Sequence, residues 1–123
     1  MIRHTFACLF IMLSLSAFSQ NKNNKEDQWG RDIIKKALAE KNNYHVRINK
    51  PIPDRKTAIE VAEPILFKGY GEDHIIGEKP YNVYSIDGYW ILTGTLPKGY
   101  HGGTFLIILA AKDGRVIKII HGK

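Results

Sequence analysis

The rhythm of apolar and polar positions changes five times along this 123-residue chain, and the changes mark out its segments. "TFACLFIMLSLSAF" (5–18) is an unbroken apolar run, and "QNKNNKEDQ" (20–28) is polar with no apolar period. In "WGRDIIKKALAEKNN", Trp29, Ile33, Ala37 and then Ile34 and Leu38 recur at helical spacing, with Arg31, Lys35, Lys36 and Glu40 opposite them. That spacing predicts an amphipathic helix over 29–41, ended by Asn42 and Asn43. "YHVRI" (44–48) alternates and reads as a short edge strand. In "PIPDRKTAIEVAEPILFKGYG", Asp54 is placed to cap a second helix, with Ala58, Ile59, Ala62, Ile65 and Leu66 as its apolar stripe. Pro64 predicts a kink or a later start, and Gly69 and Gly71 are its terminators.

From Lys79 onward the period becomes two. "PYNVYSI" and "YWILTGTL" flank Asp87-Gly88, while "TFLIILAA" and "RVIKII" flank Asp113-Gly114. Asp-Gly satisfies the positive φ angles of a tight hairpin, so two hairpins in series make a four-stranded antiparallel meander. The third strand is apolar on both faces. It is therefore central, covered on both sides or covered on one and open to a partner on the other. Two helices followed by four strands give an α+β class, with both N-terminal helices expected on one face of the sheet.

Length and charge refine this. The chain has room for one domain. Arg3 before the apolar run, and small residues at positions −3 and −1 before Gln20, have the layout of a cleavable signal peptide over 1–19, cut after Ser19. The expected organisation is thus a signal peptide (1–19), a flexible leader (20–28) and a single domain (29–123) exported to the periplasm or cell envelope. The membrane is a partner only through that transient signal peptide, the run being short for a span. Cys8 is the only cysteine and lies in the signal peptide, so the mature chain relies on an ordinary core and not on disulfides. Of 18 basic residues Arg3 leaves with the signal peptide, so 17 stand against 12 acidic ones, a net charge of +5. The charges are scattered, which reads as solvated surface and excludes a nucleic-acid footprint as the expectation.

"YHGGTF" (100–105) invites comparison with an esterase oxyanion loop, but that chemistry needs a nucleophile on a strand-to-helix elbow. After the predicted cleavage the only serine is Ser85, inside a strand, and no thiol remains. Gly102 and Gly103 therefore read as a corner where the chain bends back onto the sheet. His74, beside Glu72 and Asp73, lies on a predicted loop, where neighbours point apart; a site with His101 and His121 is conceivable only after folding. Glu60 and Glu63 read as solvated helix face, and Tyr81, Tyr84, Tyr89 and Trp90 mainly as core or cross-strand pairs. No catalytic residue, cofactor site or metal site is expected.

Taken in order, Thr57-Ala58-Ile59 leading to Tyr70-Gly71-Glu72, then Lys79-Pro80-Tyr81, Asp87-Gly88 with Trp90, Gly94-Thr95-Leu96-Pro97, Gly102-Gly103 and Asp113-Gly114-Arg115-Val116 form a recognisable series. Over about 52–123 the chain resembles bacterial immunity proteins of the nuclear transport factor 2 fold. The resemblance implies a cone-like curved sheet and a non-enzymatic protein. It also implies a cognate protein toxin as partner, delivered in interbacterial competition and blocked by occlusion through an exposed sheet face or loop set. Tyr70, Tyr89, Tyr100 and His101, on loops and turns, are the candidate partner-binding anchors. A basic, exported member of such a family points to a toxin acting in the envelope, with an acidic or neutral contact surface. The alternatives are a non-enzymatic envelope module for an unrelated ligand or protein, and an isomerase or dehydratase. The second needs a buried Asp/His or Tyr/Asp pair facing a cavity; Asp87 and Asp113 are committed to turns, and no strand carries an inward acid.

Overall fold

The computed structural model describes residues 24–40 and 47–123. The predicted signal peptide, the first residues of the leader, the Asn42-Asn43 terminator and most of the 44–48 strand lie outside the described residues; Arg47 and Ile48 are not in a strand.

Helix α1 spans 24–39 and so begins five residues before the apolar period does. No residue of its first turn is buried. Gln28 Nε2 donates to Asp32 Oδ1 at 2.8 Å, one turn on. Ile34 and Ala37 are buried as the period requires, whereas Leu38 is exposed. Helix α2 (Arg55–Tyr70) starts where Asp54 was expected to cap it: the Thr57 N–H donates to Asp54 Oδ1 at 2.7 Å. Its buried line is Ala58, Ala62 and Leu66, spaced four apart. The helix runs on through Pro64, which is exposed, so the Glu60 carbonyl that loses its partner lies on the solvent side. Gly71, at φ 94°, ends it, and the short helix α3 (Glu72–Ile76) follows, pinned by the fully buried Ile75.

The sheet is the expected antiparallel meander, β1 (Asn82–Ile86), β2 (Tyr89–Thr93), β3 (Phe105–Ala110) and β4 (Val116–His121), ordered β1-β2-β3-β4. Asp87 and Gly88 both have positive φ, 50° and 84°, as a tight two-residue hairpin demands. The second connection is looser: only Gly114 is left-handed (φ 69°), and β4 bulges opposite Ile108 and Leu109.

The helices do not share one face, which corrects the expectation from element order. Trp90, Leu92, Phe105, Ile107 and Leu109 pack with Ala58, Ala62, Leu66 and Ile75 in one core. Their strand neighbours Ile91, Ile108 and Ala110, with Ile86 and Ile117, pack with Ile34 and Ala37 in a second. Strand side chains alternate between faces, so α2 and α3 cover one side of the sheet and α1 the other. The two-sided apolar pattern of β3 is thereby explained. Trp29 meets Tyr84 edge-on at 5.3 Å, and Lys118 pairs with Glu40 at the end of α1.

Candidate functional site

Gly71 turns the chain from α2 into α3, which carries His74, and Glu78 just after α3 reaches the end of the sheet where β3 begins and β4 finishes. Glu78 is the single buried charged side chain among the described residues, 4% exposed. Its Oε1 accepts the Phe105 N–H at 2.9 Å, and its Oε2 lies 3.0 Å from His121 Nε2. A buried carboxylate persists only when so partnered. The approach is close: a Cβ on Gly94 would stand 2.7 Å from Glu78 Oε1 and 2.8 Å from its Cβ, so β2 can leave past Glu78 only with glycine there.

His121 Nδ1 lies 2.7 Å from the Gly122 carbonyl and so donates to it. Its Nε2 is shared between Glu78 Oε2 and His74 Nε2, the latter at 3.2 Å. Burial disfavours the charged imidazolium, but the bonds to the Gly122 carbonyl and the Glu78 carboxylate outweigh it, and the His121 pKa is raised above its ordinary value. The Tyr70 ring rests on His121 at a centroid distance of 5.1 Å.

These groups border an open groove of about 450 Å³, whose walls include Asp73, Leu96, Tyr100 and His101. Tyr100 is 70% exposed and Leu96 36%, both on the segment joining β2 to β3. Gly102 (φ 128°) and Gly103 form the corner expected of "YHGG". A Cβ on Gly103 would drive into the Gly122 backbone, so the two chain segments meet there without side chains between them.

Of the anticipated anchors, the fold brings Tyr100 and His101 to the groove, and Tyr70 to the back of His121. Tyr89 is elsewhere: it packs, half-buried, against the second core beneath α1. The loop reading of His74 is also corrected, since it sits in α3, and Glu63 is no solvated carboxylate. Glu63 accepts the Tyr81 hydroxyl at 3.0 Å and pairs with Lys79 at 3.7 Å. Burial first, and then that carboxylate, push the Tyr81 hydroxyl pKa strongly up. Sequence reasoning missed Glu78 and the convergence on it. The four-residue spacing of His74 and Glu78 was a usable local signal; His121, 43 positions beyond Glu78, offered none.

A family model described as NTF2 fold immunity protein matches residues 57–123, more than half of the chain. An uncharacterized protein YhhH of Escherichia coli K12 is 33% identical over 73 residues, 58% of this chain and 58% of that protein. A second uncharacterized protein of the same organism, YbbC, is 31% identical over 77 residues, 62% of this chain and 63% of its own length. The similarity thus spans less than two thirds of either relative. No solved structure matches the chain.

Proposed function

The chain belongs to the NTF2 fold immunity protein family, and from that premise we propose that it is an exported immunity protein that binds a cognate toxin and blocks it by occlusion, without chemistry of its own. Immunity proteins neutralise toxins; the particular surface and compartment are inferred here from the chain itself. The observation that carries the reading is the aromatic rim of the groove. Tyr100, 70% exposed, and Leu96, 36% exposed, stand beside a concave wall. An exposed aromatic next to a recess is the anchor type that dominates tight interfaces, which occupy about 800 Å² per partner. Helices cover both faces of the sheet, so the loop set at the groove, rather than a bare sheet face, is the surface available for docking.

Charge supports the same assignment. The whole chain is basic, with a formal net charge of +6, and Lys123 borders the groove with Lys98 on the connecting segment, against Asp73 and the buried Glu78; that balance suits an acidic or neutral toxin surface. The leader-like residues 1–19 support action in the envelope. No helix among the described residues is long and apolar enough to cross a membrane.

The test is co-expression with a toxin encoded beside this gene. Cells making the full chain should survive toxin directed to the periplasm, and Tyr100→Ala should weaken that protection. Protection by a version lacking residues 1–19, but not by the exported one, would overturn the envelope assignment. The groove's volume also favours a second reading, an envelope module that holds a small ligand there. That reading gains if the gene lies in an envelope-biogenesis operon with no toxin beside it.

A further inference from the structure

We propose that His74, Glu78 and His121 form a binding site for a divalent first-row transition metal, zinc foremost, with a further coordination position open to the groove. Three donor atoms converge. His74 Nε2 and His121 Nε2 are 3.2 Å apart, His121 Nε2 and Glu78 Oε2 3.0 Å, and His74 Nε2 and Glu78 Oε2 3.9 Å. A tetrahedral ion with bonds of about 2.0 Å holds its ligand atoms about 3.3 Å from one another. The triangle surrounds that value, and all three atoms lie within 4.8 Å of one another.

Hydrogen bonding alone accounts for this arrangement less well. The His74–Glu78 separation of 3.9 Å is beyond a hydrogen bond, and one His121 Nε2 proton would have to serve both an imidazole and a carboxylate. A metal ion would give each donor its own bond. The surroundings are also those of a ligand set. His121 Nδ1 donates to the Gly122 carbonyl at 2.7 Å, which fixes the ring and aims Nε2 at the cluster. Glu78 Oε1 is held by the Phe105 N–H, leaving Oε2 for coordination.

Two imidazoles and one carboxylate suit zinc and its first-row neighbours; calcium and magnesium need more oxygen ligands than these residues supply. The donors line the groove, so water or an incoming imidazole, carboxylate or thiolate can reach the remaining position. A bound ion would clamp the five-residue α3 to the end of β4 and stiffen the groove wall. This inference stands apart from the toxin reading, because its test involves no toxin.

The experiment is a zinc titration of the purified protein carrying no histidine tag, followed by calorimetry and by thermal unfolding, with cobalt(II) absorption reporting the ligand geometry. One ion per chain, micromolar or tighter, and a zinc-dependent rise in melting temperature are expected. His74→Ala and His121→Ala should each weaken binding about tenfold or more. The His74 side chain is 61% exposed, so His74→Ala should melt like the native protein in chelator while losing the zinc-dependent rise. Absence of stoichiometric binding by the native protein, or binding that survives both His74→Ala and His121→Ala, would overturn the proposal.

Discussion

Replacing Glu78 with glutamine separates the two bonds that hold this carboxylate. The amide keeps the side chain's shape and one oxygen, so the Phe105 N–H, 2.9 Å from Oε1, retains its acceptor. At the Oε2 position an NH₂ donor would face His121 Nε2, which lies 3.0 Å away and is itself a donor when the ring is charged. One charge-assisted bond at a site 4% exposed is lost, at a cost of about 1.5–3 kcal/mol. Each kcal/mol lowers the melting temperature of a domain this size by about 4–8 °C. Alanine would in addition leave the Phe105 N–H unsatisfied and open a void, raising the cost to about 3–5 kcal/mol.

The penalty should depend on pH with a definite sign. The folded-state pKa of His121 is raised above its ordinary 6.5. The stability from its charged pairing is therefore fully present below that value and is lost as pH rises through the folded-state pKa. In alkaline solution the ring keeps its Nδ1–H on Gly122 and offers a bare Nε2, which the glutamine NH₂ can donate to. The gap between native protein and Glu78→Gln should accordingly narrow as pH rises above 6.5 and through the raised folded-state pKa of His121. The assay is urea unfolding followed by circular dichroism across that range, in chelator. A gap that is flat or widening with pH, or one below about 0.5 kcal/mol at the acid end, refutes the reasoning.

Leu66→Ala should cost about 2–5 kcal/mol in the same assay, because Leu66 is fully buried between α2 and the sheet. Gly103→Ala should destabilise by about 1–3 kcal/mol, since the added Cβ meets the Gly122 backbone and not a movable side chain. Tyr100→Ala, at a 70% exposed position, should leave the unfolding curve unchanged yet weaken toxin binding about tenfold or more in a calorimetric titration. Tyr89→Ala should show the reverse, lower stability with unchanged toxin affinity, because its ring belongs to the core under α1.

The elements legible in the sequence are those fixed by local chemistry. Asp54 announced the start of α2 because a cap acts within three residues, and Asp87-Gly88 announced its hairpin because the turn requires two positive φ angles. The second Asp-Gly pair was less informative, since a bulge in β4 absorbs part of the reversal. The early start of α1 was not legible because residues 24–28 bury nothing, and an apolar period cannot mark a turn without buried positions. Which helix covers which face was not legible either. Periodicity showed that both sides of β3 are apolar, but whether and by what each is covered is set by chain routing. The site follows the same rule: Tyr100 and His101 were visible as unabsorbed loop residues, whereas His74, Glu78 and His121 become one cluster only when α3 and β4 meet.

The stretch recognisable by kinship starts at Thr57, yet the slab of Ile86, Ile91, Ile108 and Ile117 is roofed by a helix that ends before it. A fragment cut to the kinship boundary would keep its meander and its groove but present an oily plane to water, inviting pairing with another copy or precipitation. In this chain the residues upstream of Thr57 are thus what shelters that plane, on the side of the sheet away from α2 and α3.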